Sequence, residues 1–256
     1  ASCERIFNPK LLGKPIVVLS NNDGCIITRS TEAKALGIRM GAPAFKYRYL
    51  FKKYGVYIFS TNFALYGDFS NRVMSLLSES VPRIEIYSID EAFIDYSGLP
   101  DPIEYSQNLC SRVKQWTGIP VSIGIAATKT LAKVANGIAK QEIKSGVFHL
   151  HCQHDIQECL KKLPVSKLWG VGKRHASTLE YYGIRTAYEL TQRSDSWIQK
   201  QMSIVGLKMV KELRGINCFA LETAWQQKQS ICTSRTFGEE VHHFSQLAQA
   251  ISTYAA

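Results

Sequence analysis

The sequence predicts an α+β fold in which an antiparallel sheet carries helices on one face. Three observations support this prediction. Short apolar runs typical of strands recur along the chain, amphipathic stretches typical of helices lie between them, and Gly, Pro, Asn and Asp mark the turns. A chain of 256 residues has room for one large domain or for two or three small ones.

The first predicted strands form a hairpin near the start of the chain. Residues 15–20 and 25–28 are strand-like runs, and the turn formers Asn-Asn-Asp-Gly fill positions 21–24. A short helix over residues 31–36 follows. Gly37 then suits the left-handed position that ends many helices.

Two more strands are predicted at residues 83–89 and 91–96, because apolar and polar side chains alternate along both. A helix over residues 71–77 precedes them. Their hairpin places Asp90 and Glu91 at or near its tip. The remaining predicted elements here are a helix over 103–116, a strand over 121–125 and a helix over 128–140.

The predicted helix over residues 128–140 has a buried face and a basic edge. At about 100° per residue, Lys129, Lys133 and Lys140 form a narrow stripe opposite the apolar side chains. Solvent-exposed helix faces commonly carry charged stripes. A solvated lysine face and a phosphate-binding face therefore both remain open.

Asp90 and Glu91 are the candidate metal ligands. Consecutive residues of a regular strand point to opposite faces, so this pair can share a metal ion only where the backbone turns. The hairpin tip is such a place, and two carboxylates suit magnesium, which keeps further positions for water and substrate phosphates. A helix cap or an exposed turn without a ligand is the alternative interpretation, because Asp-Glu is a common dipeptide.

Residues 165–179 are predicted to bind phosphate. They contain two glycines one residue apart, Gly170 and Gly172, followed by Lys173 and Arg174. This pattern resembles the helix-hairpin-helix motif, in which glycines let backbone amides approach a nucleic-acid phosphate and a helix N-terminus favours the anion. The alternative is a tight turn between helices without a ligand.

The composition excludes several classes of protein. Lys and Arg number 31 against 21 Asp and Glu, a net charge of +10 that favours a polyanionic partner, nucleic acid before a membrane surface. Hydrophobic residues make up 45% and charged residues 20%, as in folded proteins. No apolar run approaches the roughly 18 residues of a membrane span, and no Walker loop, G-x-S-x-G elbow or H-E-x-x-H helix is present.

The cysteines and histidines give no metal or disulfide pattern. Seven scattered cysteines without a C-x-x-C pair argue against a disulfide framework and a zinc ribbon, and they favour a reducing compartment. A variable loop is the favoured interpretation of four clustered residues whose spacing matches no familiar zinc site, namely His149, His151, Cys152 and His154.

Both ends of the chain are expected to be cut. The chain starts at Ala1 without the pattern of a secretory signal. Near the other end, a helical spacing continues without a Gly, Pro or cap through Phe244, Leu247, Ile251 and Tyr254. We therefore expect a fragment of a longer protein.

Taken together, these residues resemble the Y-family translesion DNA polymerases of the UmuC type, the catalytic subunits of bacterial DNA polymerase V and its plasmid-borne relatives. The resemblance runs essentially end to end. The matching blocks, in the order of the family, are residues 1–5, 18–25, 32–37, 87–93 and 128–133.

The resemblance implies a right-hand polymerase, with a palm of antiparallel sheet plus helices, small fingers, a helical thumb and the start of a little finger. The catalytic core would span residues 1–174, and the thumb with the helix-hairpin-helix residues 163–228. Within that core, the fingers would be residues 8–64 and the palm residues 1–7 and 65–162, without its first strand. The truncated little finger would begin at residues 229–256.

The implied reaction is error-prone nucleotidyl transfer opposite damaged template DNA, in the SOS response and DNA repair. A primer 3′-hydroxyl attacks the α-phosphorus of a deoxynucleotide, pyrophosphate leaves, and two Mg²⁺ ions assist. Asp90 and Glu91 match the metal-binding pair of the family, with Glu91 near the attacking hydroxyl. The residues implied at the incoming triphosphate are Thr28, Arg29, Lys34 and Lys140.

Two further implications concern DNA binding and the missing strand. Gly170, Gly172, Lys173 and Arg174 would contact DNA. In the family, a strand before the block at residues 1–4 carries another metal-bridging Asp and then an aromatic residue that excludes ribonucleotides. Neither is in this sequence, so we expect the 256-residue chain alone to be inactive or nearly so.

The implied partners are primer-template DNA, including damaged DNA, deoxynucleoside triphosphates, a processed UmuD-type dimer, a recombinase filament and a sliding clamp. No membrane is implied. The implied location is the bacterial cytoplasm, at the nucleoid when DNA is bound. A non-catalytic damaged-DNA-binding relative is the alternative function, and a two-metal nuclease is a more distant one.

Overall fold

The structure is a computed structural model that describes residues 1–99, 101–223, 230, 237 and 240–255. It divides into two compact units, Ala1–Asp68 with Ala224–Ala256, and Phe69–Thr223. Cys232 and most of the junction predicted between thumb and little finger lie outside the described residues. Each unit is described by itself.

The chain alternates strands and helices, as predicted for an α+β fold. The strands are β1 (Ile16–Leu19), β2 (Ile26–Arg29), β3 (Tyr57–Ser60), β4 (Ile84–Ile86), β5 (Ala92–Ile94), β6 (Ile123–Ile125) and β7 (Val147–His149). The helices are α1 (Ser2–Phe7), α2 (Thr31–Ala35), α3 (Arg48–Tyr54), α4 (Phe63–Ser80), α5 (Pro102–Thr117), α6 (Lys129–Glu142), α7 (Gln153–Lys162), α8 (Lys173–Tyr181), α9 (Ala187–Thr191), α10 (Asp195–Leu213) and α11 (Phe244–Ala255).

The first unit contains a three-stranded sheet in the order β2-β1-β3. β1 pairs antiparallel with β2, which confirms the predicted hairpin, and parallel with β3. All four residues of β1 are buried because it is the central strand. Gly37 follows the end of α2 and has a positive φ of 76°, as the sequence predicts.

Helix α3 covers one side of this small core. It follows a 3-10 turn over Ala44–Tyr47 and ends at Gly55, which takes a left-handed conformation with φ of 59°. Phe51 is its buried anchor and belongs to the same core cluster as Ile26 and Ile38. The exposed side chains of α3 therefore do not contribute to this core.

The second unit contains the predicted carboxylate hairpin. β4 and β5 pair antiparallel, with Ile84 opposite Ile94. At the tip, the amides of Tyr87 and Ser88 both donate to the carbonyl oxygen of Glu91 at 3.0 Å. The chain therefore turns where the sequence predicts.

The open end of this hairpin is closed by polar contacts. The amide of Asp95 donates to the carbonyl of Arg83 at 3.1 Å, and the two side chains form an ion pair. The amide of Ser97 donates to Oδ1 of Asp95 at 2.9 Å. Hydrogen bonds from Ser97, followed by the guanidinium of Arg83, lower the pKa of Asp95 to about 2.

Helix α4 is longer than predicted, since it begins at Phe63 rather than at residue 71. The side chain of Asn62 accepts a hydrogen bond from the amide of Leu65 at 3.0 Å and so caps the start of the helix. Helices α4 and α5 pack their apolar faces together beside the hairpin, through Met74 and Leu109.

The second sheet of this unit is parallel, which makes the sheets of the chain mixed rather than purely antiparallel. β6 pairs with β7, with Ile123 opposite Val147. Helix α6 lies directly on β6 at Gly124, where an added Cβ would stand 2.0 Å from the amide nitrogen of Asn136. Ser122 also donates a hydrogen bond to the side chain of Asn136 at 2.9 Å.

A fully buried carboxylate fixes the start of α6. Glu212 accepts hydrogen bonds from the amide and hydroxyl of Thr130 at 2.8 and 2.7 Å. Its other oxygen accepts from the amides of Cys218 and Phe219 at 3.2 and 3.0 Å. A buried charge is tolerated when hydrogen bonds satisfy it, so these four donors hold the end of α10 against α6.

Helices α7 to α10 share the largest core of the chain with the apolar face of α6. Leu131, Leu179 and Leu190 are three of its buried members. Among the described residues, no helix is both long enough and apolar enough to cross a membrane. The helical spacing predicted from Phe244 onward is confirmed by α11.

Candidate functional site

The hairpin tip presents two adjacent carboxylates. Asp90 is exposed, and its Oδ1 accepts a hydrogen bond from the hydroxyl of Ser88 at 2.7 Å. The side chain of Glu91 is 30% exposed. Across the described part of the chain, no group of three or more His, Cys, Asp or Glu side chains could hold a metal ion. The pair fits a hard cation such as magnesium, which needs only one or two carboxylates and takes its other ligands from water and phosphate.

Lys133 stands beside this pair. Its ammonium nitrogen lies 2.5 Å from Oε2 of Glu91. The same nitrogen lies 5.0, 5.8 and 5.7 Å from the ring centres of Tyr87, Phe93 and Trp169. We call these three rings the aromatic cage, because cation–π attraction and the carboxylate together hold the ammonium in one place.

Lys129 lies one helical turn earlier and pairs with a different carboxylate. It forms an ion pair with Glu85, and the two side chains are only 10% and 11% exposed. It also donates to the carbonyl of Ala220 at 2.7 Å, while Glu85 accepts from the amide of Glu222 at 2.7 Å. These contacts satisfy both buried charges.

Of the two interpretations that the sequence left open for the lysine stripe, neither a solvated face nor a phosphate-binding face describes Lys129 and Lys133, because both ammonium groups are paired with carboxylates. The hairpin covers the stripe at Lys129 and Lys133, whose charges face Glu85 and Glu91 instead of water. Lys140, two turns beyond Lys133, is exposed. In the part of the chain that the structure describes, no ion pair involves Lys140.

The other residues predicted at the triphosphate belong to the first unit. Thr28 and Arg29 are neighbours in β2 and pair with Val18 and Val17. Arg29 donates to the carbonyl of Ile38, and its buried Nε has no hydrogen-bond partner among the described residues. The side chain of Arg29 therefore binds the loop that follows α2.

Lys34 is exposed on α2. It makes no ion pair within the described residues. Its ammonium is therefore free to meet an anion, although Lys34 and Lys140 belong to different units.

The predicted phosphate-binding turn has the expected geometry. Gly170 takes a left-handed φ of 81°, and Gly172 is the N-cap of α8 without a side-chain cap. Lys173 and Arg174 are exposed in the first turn. A helix that no side chain caps leaves its first amides available to an anion. The turn is entered from a 3-10 turn over Val165–Lys167, rather than directly from an α-helix as the name helix-hairpin-helix implies.

The far end of this motif is fixed by local hydrogen bonds. Thr186 caps α9 in a capping box, and Glu189 accepts hydrogen bonds from the amides of Arg185 and Thr186. These bonds to the charged form lower the pKa of Glu189. The amide of Val165 donates to the carbonyl of Arg185 at 2.9 Å, which ties the two ends of the motif together.

Trp169 connects this turn to the carboxylate hairpin. Its Nε1 donates to the hydroxyl of Tyr87 at 3.2 Å, and its ring packs against Phe93 with centres 5.7 Å apart. Trp169 and Tyr87 were not predicted as site residues from the sequence, and neither was the pair of Lys133 and Glu91. A usable signal was the presence of Glu85 and Glu91 in the same hairpin that is followed by two lysines one helical turn apart.

The histidine cluster forms no metal site among the described residues. The rings of His149 and His151 lie 5.2 Å apart, and Cys152 caps α7 by accepting from the amide of Asp155. Burial, and then the charge of His151, lower the pKa of His149.

Comparisons with known proteins place these features in a family. The model of the impB/mucB/samB family matches residues 1–137, and the model of the IMS family HHH motif matches residues 154–184. The protein UmuC of Salmonella typhimurium strain LT2 is 46% identical over 261 aligned positions, which cover all of this chain and 62% of that relative. This chain therefore spans less than two thirds of that curated relative.

Two further relatives are named as polymerases. DNA polymerase IV 1 of Halalkalibacterium halodurans is 32% identical over 223 positions, which cover 85% of this chain and 52% of that protein. The post-insertion binary complex of Dbh DNA polymerase superposes with a TM-score of 0.71 at 26% identity, over 86% of this chain and 65% of that chain. The predicted fold class, that of a right-hand polymerase with a helix-hairpin-helix, is confirmed by this similarity.

Proposed function

The chain belongs to the impB/mucB/samB family, and from this premise we propose that the whole protein is an error-prone DNA polymerase that extends primers opposite damaged template. The observation that carries the proposal is the turn that exposes Asp90 and leaves Glu91 beside Lys133. The similarity to UmuC of Salmonella typhimurium and to DNA polymerase IV 1 of Halalkalibacterium halodurans supports it.

Asp90 and Glu91 would hold magnesium, two ions in the intact enzyme. When bound, magnesium activates the primer hydroxyl and stabilises the leaving pyrophosphate. Lys133 holds the carboxylate of Glu91 in one orientation, and the aromatic cage keeps the lysine side chain largely out of water. The protein thereby fixes a carboxylate that would otherwise rotate.

The two substrates, the deoxynucleoside triphosphate and the primer-template DNA, would be bound by different parts of the chain. The incoming deoxynucleoside triphosphate would contact Thr28, Arg29, Lys34 and Lys140. The turn over Gly170, Gly172, Lys173 and Arg174 would hold duplex phosphates without reading the bases. Because Trp169 joins that turn to the hairpin, DNA held there would be held at a fixed place relative to the carboxylates.

The remaining assignments follow from the family. We propose a catalytic core over residues 1–174, a thumb over 163–228 and a little finger that begins within 229–256. Magnesium as the metal, a role in the SOS response, a processed UmuD-type dimer, a recombinase filament and a sliding clamp as partners, and a location in the bacterial cytoplasm at the nucleoid belong to the same proposal.

Primer extension by the purified full-length protein tests this function. Asp90→Asn and Glu91→Gln should each lower the rate on a lesion-containing template by about 10²-fold or more, because each removes a ligand charge. Glu104→Gln is the matched control, since Glu104 is an exposed carboxylate in the first turn of α5. Full extension by both site variants would refute the metal assignment. No extension by the wild-type protein, with primer-template binding intact and the partner subunit supplied, would favour the non-catalytic DNA-binding relative.

A further inference from the structure

A second concentration of charge lies far from the carboxylates in sequence. Positions 33–67 contain six basic residues and no acidic one. All six are exposed, and the five beyond α2 lie in the 3-10 turn, in α3 or in the segment before them, namely Arg39, Lys46, Arg48, Lys52 and Lys53. No ion pair of the described residues involves any of the five.

Helix α3 arranges part of this charge around an aromatic ring. At about 100° per residue, Arg48, Lys52, Tyr49 and Lys53 occupy successive positions on one side of the helix, and Phe51 occupies the buried side. Tyr49 is 77% exposed. The ammonium of Lys53 lies 5.9 Å from the centre of that ring.

Packing in the core does not account for this exposed tyrosine, whose ring contacts the ammonium of Lys53. It lies outside the core cluster that Phe51 joins, so this face offers a ligand two features, an exposed ring and cations that form no ion pair within the described residues. A nucleic-acid strand satisfies both features at once, because its phosphates meet the cations while a base stacks on the ring.

We propose that this face of α3, defined by Arg48, Tyr49, Lys52 and Lys53, binds single-stranded DNA. Duplex DNA would meet the cations equally well, but its bases are stacked on one another and offer no free face to Tyr49. An acidic protein surface would likewise use the charges and leave the ring unused. Only an unpaired base uses every feature of the face.

The inference goes beyond the proposed function, since it assigns a strand-binding surface that requires neither Asp90 nor Glu91. It also goes beyond the turn at Gly170 and Gly172, which belongs to the other unit and for which we propose contacts with phosphate only. Binding experiments without nucleotide or metal can therefore test it even if the polymerase assignment fails.

The test is fluorescence anisotropy of the full-length protein with a labelled 20-nucleotide thymine strand and with a blunt duplex of the same length. Tyr49→Ala should weaken binding of the single strand by roughly 5- to 100-fold, the contribution of one stacked base. Binding of the duplex should change less than about twofold. Tyr49→Phe should retain binding, because the ring and not the hydroxyl carries the contact.

Two further variants separate stacking from charge and from general damage. Trp116→Ala removes another exposed ring, at the end of α5, and should change neither affinity. Lys52→Ala with Lys53→Ala should lower the salt dependence of single-strand binding by about 0.7 for each phosphate that the protein no longer neutralises.

Three results would overturn the proposal. One is an unchanged single-strand affinity in Tyr49→Ala. The second is an equal loss for single strand and duplex, which would make the face a general phosphate-binding surface. The third is a loss in Tyr49→Phe as large as in Tyr49→Ala, which would assign the contact to the hydroxyl.

Discussion

The ammonium nitrogen of Lys133 lies 2.5 Å from Oε2 of Glu91, so helix α6 supplies a positive charge to the tip of the carboxylate hairpin. A cation at this place acts in two ways. It orients the carboxylate, and it repels a metal ion that would bind the same oxygen. At the proposed metal site, the pair would exchange some metal affinity for a fixed ligand geometry.

Replacing Lys133 should separate these effects. Lys133→Met keeps a chain of similar length inside the aromatic cage and removes the charge. The affinity of the full-length protein for Mn²⁺, measured by electron paramagnetic resonance without nucleotide, should rise roughly 3- to 30-fold because a repelling charge is removed. Lys140→Met, an exposed lysine on the same helix, is the control and should leave the Mn²⁺ affinity unchanged. A lower affinity in Lys133→Met would mean that orientation outweighs repulsion.

Charge reversal at Lys34 and Lys140 should weaken nucleotide binding more than DNA binding. Each exposed ammonium is expected to form a charge-assisted contact with the triphosphate, so Lys34→Glu and Lys140→Glu should each raise the Kd for a deoxynucleotide roughly 10-fold or more. Lys34→Arg should retain binding, because the guanidinium of arginine can donate two hydrogen bonds to one phosphate. Titrations with nucleotide and with primer-template check this, with Lys162→Glu as an exposed control on α7. Equal losses for both ligands would contradict the assignment.

Charge reversal at the start of α8 should act on duplex binding. Lys173→Glu with Arg174→Glu removes two cations beside the uncapped helix start, so duplex affinity should fall. In a plot of the logarithm of the binding constant against the logarithm of the salt concentration, the slope should become less steep by about 0.9 for each phosphate left without a cation. The loss should be the same for duplexes of different sequence, since phosphate contacts carry no base information. Anisotropy at several salt concentrations gives both quantities. A sequence-dependent loss would show that this turn reads bases.

The buried carboxylate of Glu212 should matter for stability rather than for binding. In Glu212→Gln, an amide group replaces one oxygen and turns a donor toward the amides or hydroxyl that now donate to it. We expect the free energy of unfolding to fall by about 2–4 kcal/mol. Urea denaturation measures this. Glu180→Gln, at an exposed position of α8, should unfold like the wild type.

Acid should loosen the open end of the carboxylate hairpin. The pKa of Asp95 is lowered from 3.8 to about 2, first by Ser97 and then by Arg83, so the folded state binds this proton less readily than the unfolded state. The resulting stability is complete above pH 3.8 and is lost as the pH falls toward 2. In Asp95→Asn this dependence should disappear. Urea denaturation at a series of pH values gives the comparison, and parallel pH profiles for the two proteins would contradict it.

The sequence predicted the local elements of the site because their signals are local. The alternation of apolar and polar residues over 83–96, with a turn in the middle, indicates a hairpin whatever surrounds it. Gly170 and Gly172 indicate a turn, and Gly170 takes a left-handed conformation that favours glycine. The hairpin tip at Asp90 and Glu91 therefore lies where it was predicted.

What the sequence did not predict depends on packing between distant elements. The stripe of Lys129 and Lys133 has the pattern of an exposed face, and only the hairpin lying over it makes these lysines partners of Glu85 and Glu91. Helical periodicity distinguishes two sides of a helix but does not say whether the polar side meets water or another polar surface. Trp169 was missed for the same reason, since its contact with Tyr87 joins residues 82 positions apart.

Helix α6 reaches the hairpin only because β6 carries no side chain where the two backbones touch. Even the methyl group of alanine at Gly124 would lie 2.5 Å from the carbonyl oxygen of Ala132. The helix would have to rise from the sheet, and Lys133 would move with it. A single uncharged methyl group, placed between β6 and α6, would thus change the electrostatic field at Glu91. The electrostatic environment of Glu91 therefore requires a glycine at position 124, although the two residues are not in contact.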